Sequence, residues 1–168
     1  MMARAQRKLA MRPFLRADVP LLAEIFRASI EELTGDDYSA AQQEAWASAA
    51  DDDAAFAARL AKGLTLLGTI DGSPVGFASL DGNERLDMLY VHPAVAGQGV
   101  GTMLIDALEK LAAARGAKRL TAEVSDSAQD FFKRQGFVAR QRNTVPFGDE
   151  WLANTTMEKP LAARGRAP

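Results

Sequence analysis

The sequence has no cysteine and a single histidine, His92, among its 168 residues. The missing cysteines exclude disulfide bonds, thiol nucleophiles and cysteine-bound zinc, and one histidine cannot form a histidine-rich metal site. We therefore expect no metal. An excess of charge is also missing, because 20 lysines and arginines oppose 22 aspartates and glutamates and leave a formal net charge of −2. No basic surface suggests a nucleic acid or an anionic membrane as a partner.

Long hydrophobic runs are absent as well. No apolar stretch approaches the roughly 18 residues that a membrane-spanning helix needs, and no apolar segment of a signal peptide follows the basic residues 1–8. Hydrophobic residues still make up 48% of the chain, enough for a real core. We therefore expect a cytoplasmic protein with one domain over residues 1–160 and a loose tail at 161–168.

Hydrophobic periodicity predicts helices first and then strands. A helical stripe runs over residues 22–33 with Asp18 as its N-cap. One or two short helices follow over residues 39–62, broken at the aspartates 51–53, which we interpret as a solvated helix start rather than a metal cluster. From Leu64 the apolar period becomes two. Predicted strands cover 9–14, 64–70, 75–80, 85–91, 120–125, 137–142 and 151–157. Two further helices, at 104–112 and 128–135, precede and follow the strand at 120–125. The predicted fold class is α/β, with a mixed sheet of about six or seven strands.

A glycine-rich segment carries the strongest functional signal. The strand-like residues 86–91 end at Pro93, and the loop Gly97-Gln98-Gly99-Val100-Gly101-Thr102 then opens an amphipathic helix. Glycines permit positive φ and leave the amide groups unshielded, and the orphan N–H groups of a helix start bind phosphate. A dinucleotide fingerprint would need glycine where Thr102 stands, and no Lys-Ser or Lys-Thr pair follows the glycines as in a P-loop.

Three motifs resemble the GNAT superfamily of acyl-CoA-dependent N-acetyltransferases. They are Val91-His92-Pro93, the Gly-Gln-Gly-Val-Gly loop at 97–101, and Phe-Phe-Lys-Arg-Gln-Gly-Phe at 131–137. A bacterial subgroup of the family shares the Phe-Phe ending. The resemblance spans about residues 64–137 and implies a GNAT-like fold, in which a bulge splays the fourth strand from the fifth and helices flank the sheet.

The resemblance also implies acetyl-CoA as co-substrate in that gap. The main chain of Leu89, Tyr90 and Val91 would bind the pantetheine and the acetyl carbonyl. The implied pyrophosphate site is Gly97, Gln98, Gly99, Val100, Gly101 and Thr102. Phe132 is expected under the cofactor arm or in the core.

Two positions depart from the family pattern. Ala96 stands where arginine or glutamine is usual, so one side-chain contact to the phosphates is missing and weaker cofactor binding is expected. Phe132 stands where a tyrosine often protonates the departing thiolate. A thiol has an ordinary pKa near 8.5, so water could protonate that leaving group instead. These departures keep open an alternative function, a catalytically weak CoA-binding sensor or assembly module.

The favoured function is direct transfer of an acetyl group to a primary amine of a small molecule or a protein. A protonated amine cannot attack, so either a base takes its proton or the amine arrives neutral. Alternation along the fourth strand places Asp87 on the face of Leu89 and Val91, where desolvation would suit a base. An exposed Asp87, or one paired with an arginine, is equally compatible. Glu123 on the fifth strand is the second candidate, although a solvent-facing glutamate is the plainer interpretation.

Aromatic residues complete the candidate site. Tyr38 and Trp46 lie in the helical region that walls the acceptor site in this superfamily, where they could bind substrate or pack in the core. Tyr90 is expected to pack in the core, with proton donation as the alternative, and His92 to brace a loop. A homodimer is a further alternative, formed through an exposed final strand around Trp151.

Overall fold

The structure, a computed structural model, describes residues 7–162. Within them, seven strands form one sheet and five α-helices flank it. The strands are β1 (Leu9–Pro13), β2 (Leu64–Ile70), β3 (Ser73–Asp81), β4 (Arg85–Val91), β5 (Arg119–Ser125), β6 (Val138–Phe147) and β7 (Glu150–Pro160). The helices are α1 (Val19–Leu33), α2 (Ala40–Ala47), α3 (Asp53–Lys62), α4 (Val100–Ala114) and α5 (Gln129–Arg134). The predicted mixed α/β sheet is confirmed.

The sheet order is β1-β2-β3-β4-β5-β7-β6, with β4 and β5 parallel and every other pair antiparallel. The β2–β3 hairpin turns at Asp71 and Gly72, which both adopt positive φ (51° and 87°), as a type I′ turn requires. The other predicted strands also form, and the last two are longer than their apolar pattern indicated.

Local capping explains the helix starts. The Asp52 side chain accepts a hydrogen bond from the Ala55 amide at 3.0 Å and caps α3, which confirms that residues 51–53 form a helix start. Asp18 is the N-cap residue of α1, as predicted, but its side chain makes no capping hydrogen bond to that helix. Its carboxylate instead accepts two hydrogen bonds from Arg12, at 2.8 and 2.9 Å, and one from the Leu15 amide. A bidentate charge-assisted pair outcompetes a single cap.

Each face of the sheet has its own apolar core. Helix α4 buries Leu104 and Leu108 on one face, and helices α1 to α3 bury side chains such as Phe26 and Phe56 on the other. The rings of those two phenylalanines lie 5.5 Å apart. The sheet is therefore a buried middle layer, and a gap in it opens between the two helical layers.

Strands β4 and β5 form such a gap. Only two residue pairs join them, Arg85 with Thr121 and Leu86 with Ala122. On the other side of β4, Ser79 opposes Met88 while the next residue of β3 already opposes Leu86, so Asp87 is an extra residue in a β-bulge. The predicted splayed fourth and fifth strands are confirmed.

The bulge also reverses one prediction. Leu89 and Val91 pack against the core on the α4 side, whereas Tyr90 packs against the core on the opposite side. Asp87 binds Arg59 of α3 and therefore lies on the side of Tyr90. The prediction that Asp87 shares a face with Leu89 and Val91 is wrong, because one inserted residue shifts the alternation by one position.

The C-terminal part differs from the expectations as well. Strand β7 lies between β5 and β6, so the prediction of an exposed final strand for dimerisation is wrong. Residues 150–153 of β7 extend past the end of β5, so within residues 7–162 that edge of β7 has no strand beside it. Gln42 and Tyr38 cover this edge by donating hydrogen bonds to the carbonyls of Trp151 and Ala153. Leu161 packs partly on the core and its amide donates to the Lys118 carbonyl, so it is not loose; residues 163–168 of the predicted tail lie outside the described residues. No helix within residues 7–162 is long and apolar enough to cross a membrane.

Candidate active site

A cavity of about 490 Å³ lies where β4 has separated from β5. Its walls are the end of β4, the glycine loop with the start of α4, the C-terminal end of α1 and the helix α5. The lining residues from β4 and the loop are Leu89, Tyr90, Val91, Val95, Ala96, Gly97, Gly99, Val100, Gly101 and Thr102. Ser29, Leu33, Thr34, Ser125, Ser127, Ala128, Phe131, Phe132, Arg134 and Gln135 complete the cavity. We call it the cofactor cavity.

The start of α4 is seated directly on the sheet. A Cβ atom at Gly68 would lie 2.9 Å from Cγ1 of Val100, and one at Gly76 would lie 3.0 Å from the same atom. Gly68 and Gly76 are register partners on β2 and β3. The two glycines therefore admit Val100, which is 1% exposed, and fix the height of the helix start above the sheet.

The glycine loop presents unshielded amide groups. Gly97 and Gly99 adopt left-handed φ values of 77° and 91°, and a Cβ at either position would meet nothing within 4 Å. The first helical hydrogen bond of α4 runs from the Met103 amide to the Gly99 carbonyl, which leaves the amides of residues 100–102 without a helical partner. The Gln98 amide differs, because it donates to the Val95 carbonyl at 3.2 Å.

The free edge of β4 presents further amide groups. The His92 amide donates to the carbonyl of Val75, which lies in β3. Antiparallel alternation then directs the Tyr90 amide toward β3 and those of Leu89 and Val91 toward the gap. His92 itself accepts a hydrogen bond from the Ala94 amide at its Nδ1, which confirms the predicted loop-bracing role.

The charge of the cofactor cavity is positive. Among its lining residues in the described part of the chain, Arg134 alone carries a charge. It lies on α5 and lines the same cavity as the start of α4. No acidic side chain of residues 7–162 lies within ion-pair distance of it. An anionic ligand would therefore meet both free amides and a guanidinium.

A second cavity, of about 260 Å³, opens on the other side of the gap. Its lining contains four aromatic residues, two arginines and two carboxylates: Tyr38, Trp46, Tyr90, Phe147, Arg59, Arg85, Asp87 and Glu123. We call it the acceptor cleft. A small space of about 70 Å³ between the two cavities is lined by Leu89 and Phe132 from the first, by Trp46 and Asp87 from the second, and by Tyr90.

Asp87 is held by arginines in this cleft. Its carboxylate accepts hydrogen bonds from Nε and Nη2 of Arg59 at 2.9 and 3.3 Å, and Nη2 of Arg85 lies 3.5 Å from it. The Asp87 side chain is 12% exposed. Both oxygens are therefore engaged, and the arginine pairing that the sequence left open as an alternative is present.

Glu123 has a different environment. Its Oε2 accepts hydrogen bonds from Thr156 at 2.8 Å and from Asn143 at 3.0 Å. No donor within residues 7–162 reaches Oε1, and the residue is exposed at the cleft. One carboxylate oxygen is thus fixed while the other is free to accept a proton.

The two tyrosines are both buried enough to remain phenols. The Tyr90 hydroxyl accepts a hydrogen bond from Nε1 of Trp46 at 3.3 Å, and burial raises the pKa of Tyr90 to about 12. The Tyr38 hydroxyl donates to the Ala153 carbonyl at 2.6 Å and accepts from the Asp126 amide at 2.9 Å. Burial also raises the pKa of Tyr38. Tyr38 and Trp46 are therefore structural residues that also line the acceptor cleft.

This geometry agrees with a sequence comparison. The sequence model of the family described as "Acetyltransferase (GNAT) domain" matches residues 34–161, which is more than half of the chain. The chain belongs to the GNAT acetyltransferase family. The recognition made from the three motifs is thus confirmed, as is the assignment to the N-acetyltransferase class of enzymes.

Individual GNAT proteins support the same placement. A crystal structure of a GCN5-related N-acetyltransferase from Rhodopseudomonas palustris is 61% identical, with a TM-score of 0.90 over 96% of this chain and 99% of that one. The uncharacterized N-acetyltransferase YafP of Escherichia coli (strain K12) is 30% identical over 149 residues, 89% of this chain and 94% of YafP. The PaiA N-acetyltransferase from Thermoplasma acidophilum, solved with coenzyme A, has a TM-score of 0.76 at 20% identity over 91% of this chain and 99% of that one, which shows a shared fold.

The GNAT fold brings most of the predicted site residues together. Every predicted cofactor-binding residue lines the cofactor cavity except Gln98, whose amide is used within the loop and whose side chain accepts from Arg7 at 3.4 Å. Phe132 is 6% exposed, and it packs 5.0 Å from the ring of Phe137 while also lining the cofactor cavity. Asp87 and Glu123 both reach the acceptor cleft.

Sequence reasoning did not single out four charged or aromatic side chains that line the two cavities. Arg134 lies inside the recognised 131–137 motif, so the helical position that faces the cavity could have been found there. Arg59, Arg85 and Phe147 come from three separate elements that only the tertiary structure assembles at the acceptor cleft.

Proposed function

We propose that this GNAT protein transfers the acetyl group of acetyl-CoA directly to a primary amine while both are bound. The observation that carries the proposal is the cofactor cavity with its unpartnered loop amides, which lies across a narrow gap from the acceptor cleft and shares Tyr90 with it. Two substrates held on opposite sides of one gap avoid most of the entropic cost of meeting.

The residues of the cofactor cavity suit coenzyme A. The amides of Gly97, Gly99 and residues 100–102 would hold the pyrophosphate, and those of Leu89 and Val91 would hold the pantetheine and the carbonyl end. Arg134 would supply the cationic contact that Ala96 lacks at the usual position. The expectation of weaker binding because of Ala96 is therefore replaced by the proposal that the contact has moved to α5.

Proton transfer follows from the two carboxylates. When bound, acetyl-CoA supplies an activated thioester carbonyl. The amine nitrogen forms a bond to the carbonyl carbon, the carbon–sulfur bond breaks, and the proton of the amine goes to Oε1 of Glu123. Fixed amides of β4 stabilise the negative charge that develops on the carbonyl oxygen. We propose Glu123 rather than Asp87 as the base, because both oxygens of Asp87 already bind guanidinium groups. Asp87 then positions Arg59.

The departing thiolate needs a proton that Phe132 cannot donate. Tyr90 is the tyrosine that lines the cofactor cavity, and its hydroxyl accepts from Trp46 and so keeps its own proton available. We propose that Tyr90 or a water beside it protonates the thiolate. This need is modest, since an ordinary thiol has a pKa near 8.5.

Calorimetry and a thiol-release assay test the proposal together. We expect acetyl-CoA and CoA to bind, and thiol to be released only when an amine is present. Initial rates should give intersecting lines when both substrates are varied, since parallel lines indicate a covalent enzyme intermediate. Arg134→Gln should weaken acetyl-CoA binding about tenfold, with the neighbouring exposed Lys133→Gln as control. Binding without thiol release for any amine would favour the sensor alternative, and no binding at all would overturn the proposal.

A further inference from the structure

The acceptor cleft contains a cationic group that the proposed transfer does not use. Arg85 begins β4, and its side chain is 55% exposed. Apart from a 3.5 Å approach to Asp87, it forms no ion pair and donates no hydrogen bond to any residue between 7 and 162. A guanidinium has five N–H donors in a planar fork that matches a carboxylate. Arg59 differs, because its Nε and Nη2 already donate to the two carboxylate oxygens of Asp87.

The charges around Arg85 define a complementary ligand. The acceptor cleft has two arginines and two carboxylates, so its net charge is zero. Asp87 and Arg59 neutralise one another, which leaves Arg85 and the free oxygen of Glu123 as the two groups able to bind a charged ligand. A polyamine would place its second ammonium among arginines. A ligand with one carboxylate and one ammonium matches the guanidinium of Arg85 and the carboxylate of Glu123.

The strand register places these two groups on one face. Arg85 pairs with Thr121 of β5, and Glu123 lies two residues farther along the same strand. The Cα atoms of Arg85 and Glu123 are therefore roughly 8 Å apart, and both side chains reach the acceptor cleft. The cleft volume of about 260 Å³ lies below the usual range of about 300–1,000 Å³ for drug-sized ligands. Its aromatic wall, Trp46 and Phe147, offers an apolar contact for a side chain.

We infer that the acceptor is a small amine that carries a carboxylate, an amino-acid-like zwitterion, with its carboxylate on Arg85 and its amine at Glu123. This inference rests on the proposed function and names the substrate class of that site. Glu123 then receives the proton of the amine that it has oriented. A lysine side chain within a protein has no carboxylate beside its amine, and it would leave Arg85 without a ligand.

Matched pairs of amines test the inference. The pairs are phenylalanine with phenethylamine, lysine with cadaverine, and free lysine with lysine blocked as N-acetyl-lysine methylamide. We expect the carboxylated member of at least one pair to have a kcat/KM at least about tenfold higher than its partner. Arg85→Gln should reduce that ratio to about one, while Arg85→Lys should keep part of it. Arg119→Gln is the control, because Arg119 is similarly exposed (52%) on β5 and lines neither cavity.

The outcomes separate this inference from the proposed function. Equal or better turnover of the decarboxylated or blocked amines overturns the inference and leaves acetyl transfer intact. If no amine supports turnover, the proposed function fails, and ligand-observed NMR of the same pairs with CoA present still decides the carboxylate preference. Binding of a carboxylated member that is lost in Arg85→Gln supports the inference, and binding that Arg85→Gln leaves unchanged, or no binding of either member, overturns it.

Discussion

Gly68 and Gly76 oppose each other across β2 and β3, and Cγ1 of Val100 lies within about 3 Å of the place where either would carry a Cβ atom. The start of α4 therefore has its height above the sheet set by two residues that are distant from the glycine loop in sequence. Because the loop amides belong to the same helix start, this packing contact links the sheet to the proposed phosphate site.

Gly76→Ala should disturb that contact. Its Cβ would also lie 3.1 Å from the Tyr90 carbonyl, a backbone atom that cannot move freely. We expect the free energy of unfolding to fall by about 1–3 kcal/mol and acetyl-CoA affinity to fall as well, measured by urea unfolding and calorimetry. Gly35→Ala is the control, since its Cβ would make only an ordinary contact of 3.6 Å with Gln43. Lower stability with unchanged affinity would show that the seating of α4 does not affect the loop.

Gly99→Asp should abolish acetyl-CoA binding and preserve the fold. The substitution places a carboxylate among the amides that would meet phosphate, in space where a Cβ has no neighbour within 4 Å. Gly82→Asp is a matched control at the β3–β4 turn, because Gly82 also has positive φ (68°) and open space but lines neither the cofactor cavity nor the acceptor cleft. Circular dichroism and calorimetry should show equal folding and a loss of binding in the first variant alone. Retained affinity in Gly99→Asp would contradict the site assignment.

Glu123→Gln and Asp87→Asn should separate the two carboxylates. Glutamine can still accept from Thr156 and Asn143 but cannot take a proton, so we expect kcat/KM to fall about 100-fold and the acidic limb of its pH profile to disappear. Asp87→Asn should weaken the hold on Arg59, lowering turnover and stability while leaving that limb in place. Loss of the limb in Asp87→Asn instead would identify Asp87 as the base.

Asp18→Asn should make the free energy of unfolding less dependent on pH in the acidic range. The hydrogen bonds from Arg12 hold the pKa of the Asp18 carboxyl below its ordinary value. A carboxyl with a lower pKa in the folded state stabilises the fold above its unfolded pKa of about 3.9, and that contribution is lost as the pH falls through the folded pKa. Urea unfolding should show a loss of about 1 kcal/mol at pH 7 that shrinks below about pH 4. The exposed Asp36→Asn should show no such trend, and an equal loss in Asp18→Asn at pH 7 and pH 3 would contradict the expectation.

Local features of this chain could be predicted because they depend on neighbours in sequence. The bounds of β2 and β4, the turn at Asp71 and Gly72, and the break at residues 51–53 follow from periodicity, positive φ and capping. The glycine loop belongs with them, because a helix start exposes its amides whatever packs nearby. Those features were enough for the family and for most of the cofactor cavity.

Residues whose role depends on a bulge or on distant partners could not be placed in that way. The extra residue at Asp87 has no signature in the apolar pattern, yet it moves the carboxylate to the other face and into contact with Arg59 of α3. Strand β7 inserts between β5 and β6, an order that hydrophobic alternation does not encode.

What the amino-acid order determined by itself is therefore the set of helices and strands and the glycine loop with its exposed amides, since each arises from interactions among residues a few positions apart. Only the tertiary structure decided the composition of the acceptor cleft, including Arg85 near Glu123, and the presence of Arg134 in the cofactor cavity. The reason is that ion pairs and the separation of β4 from β5 depend on distances in space. Residues far apart in the chain come close only when the two apolar cores form.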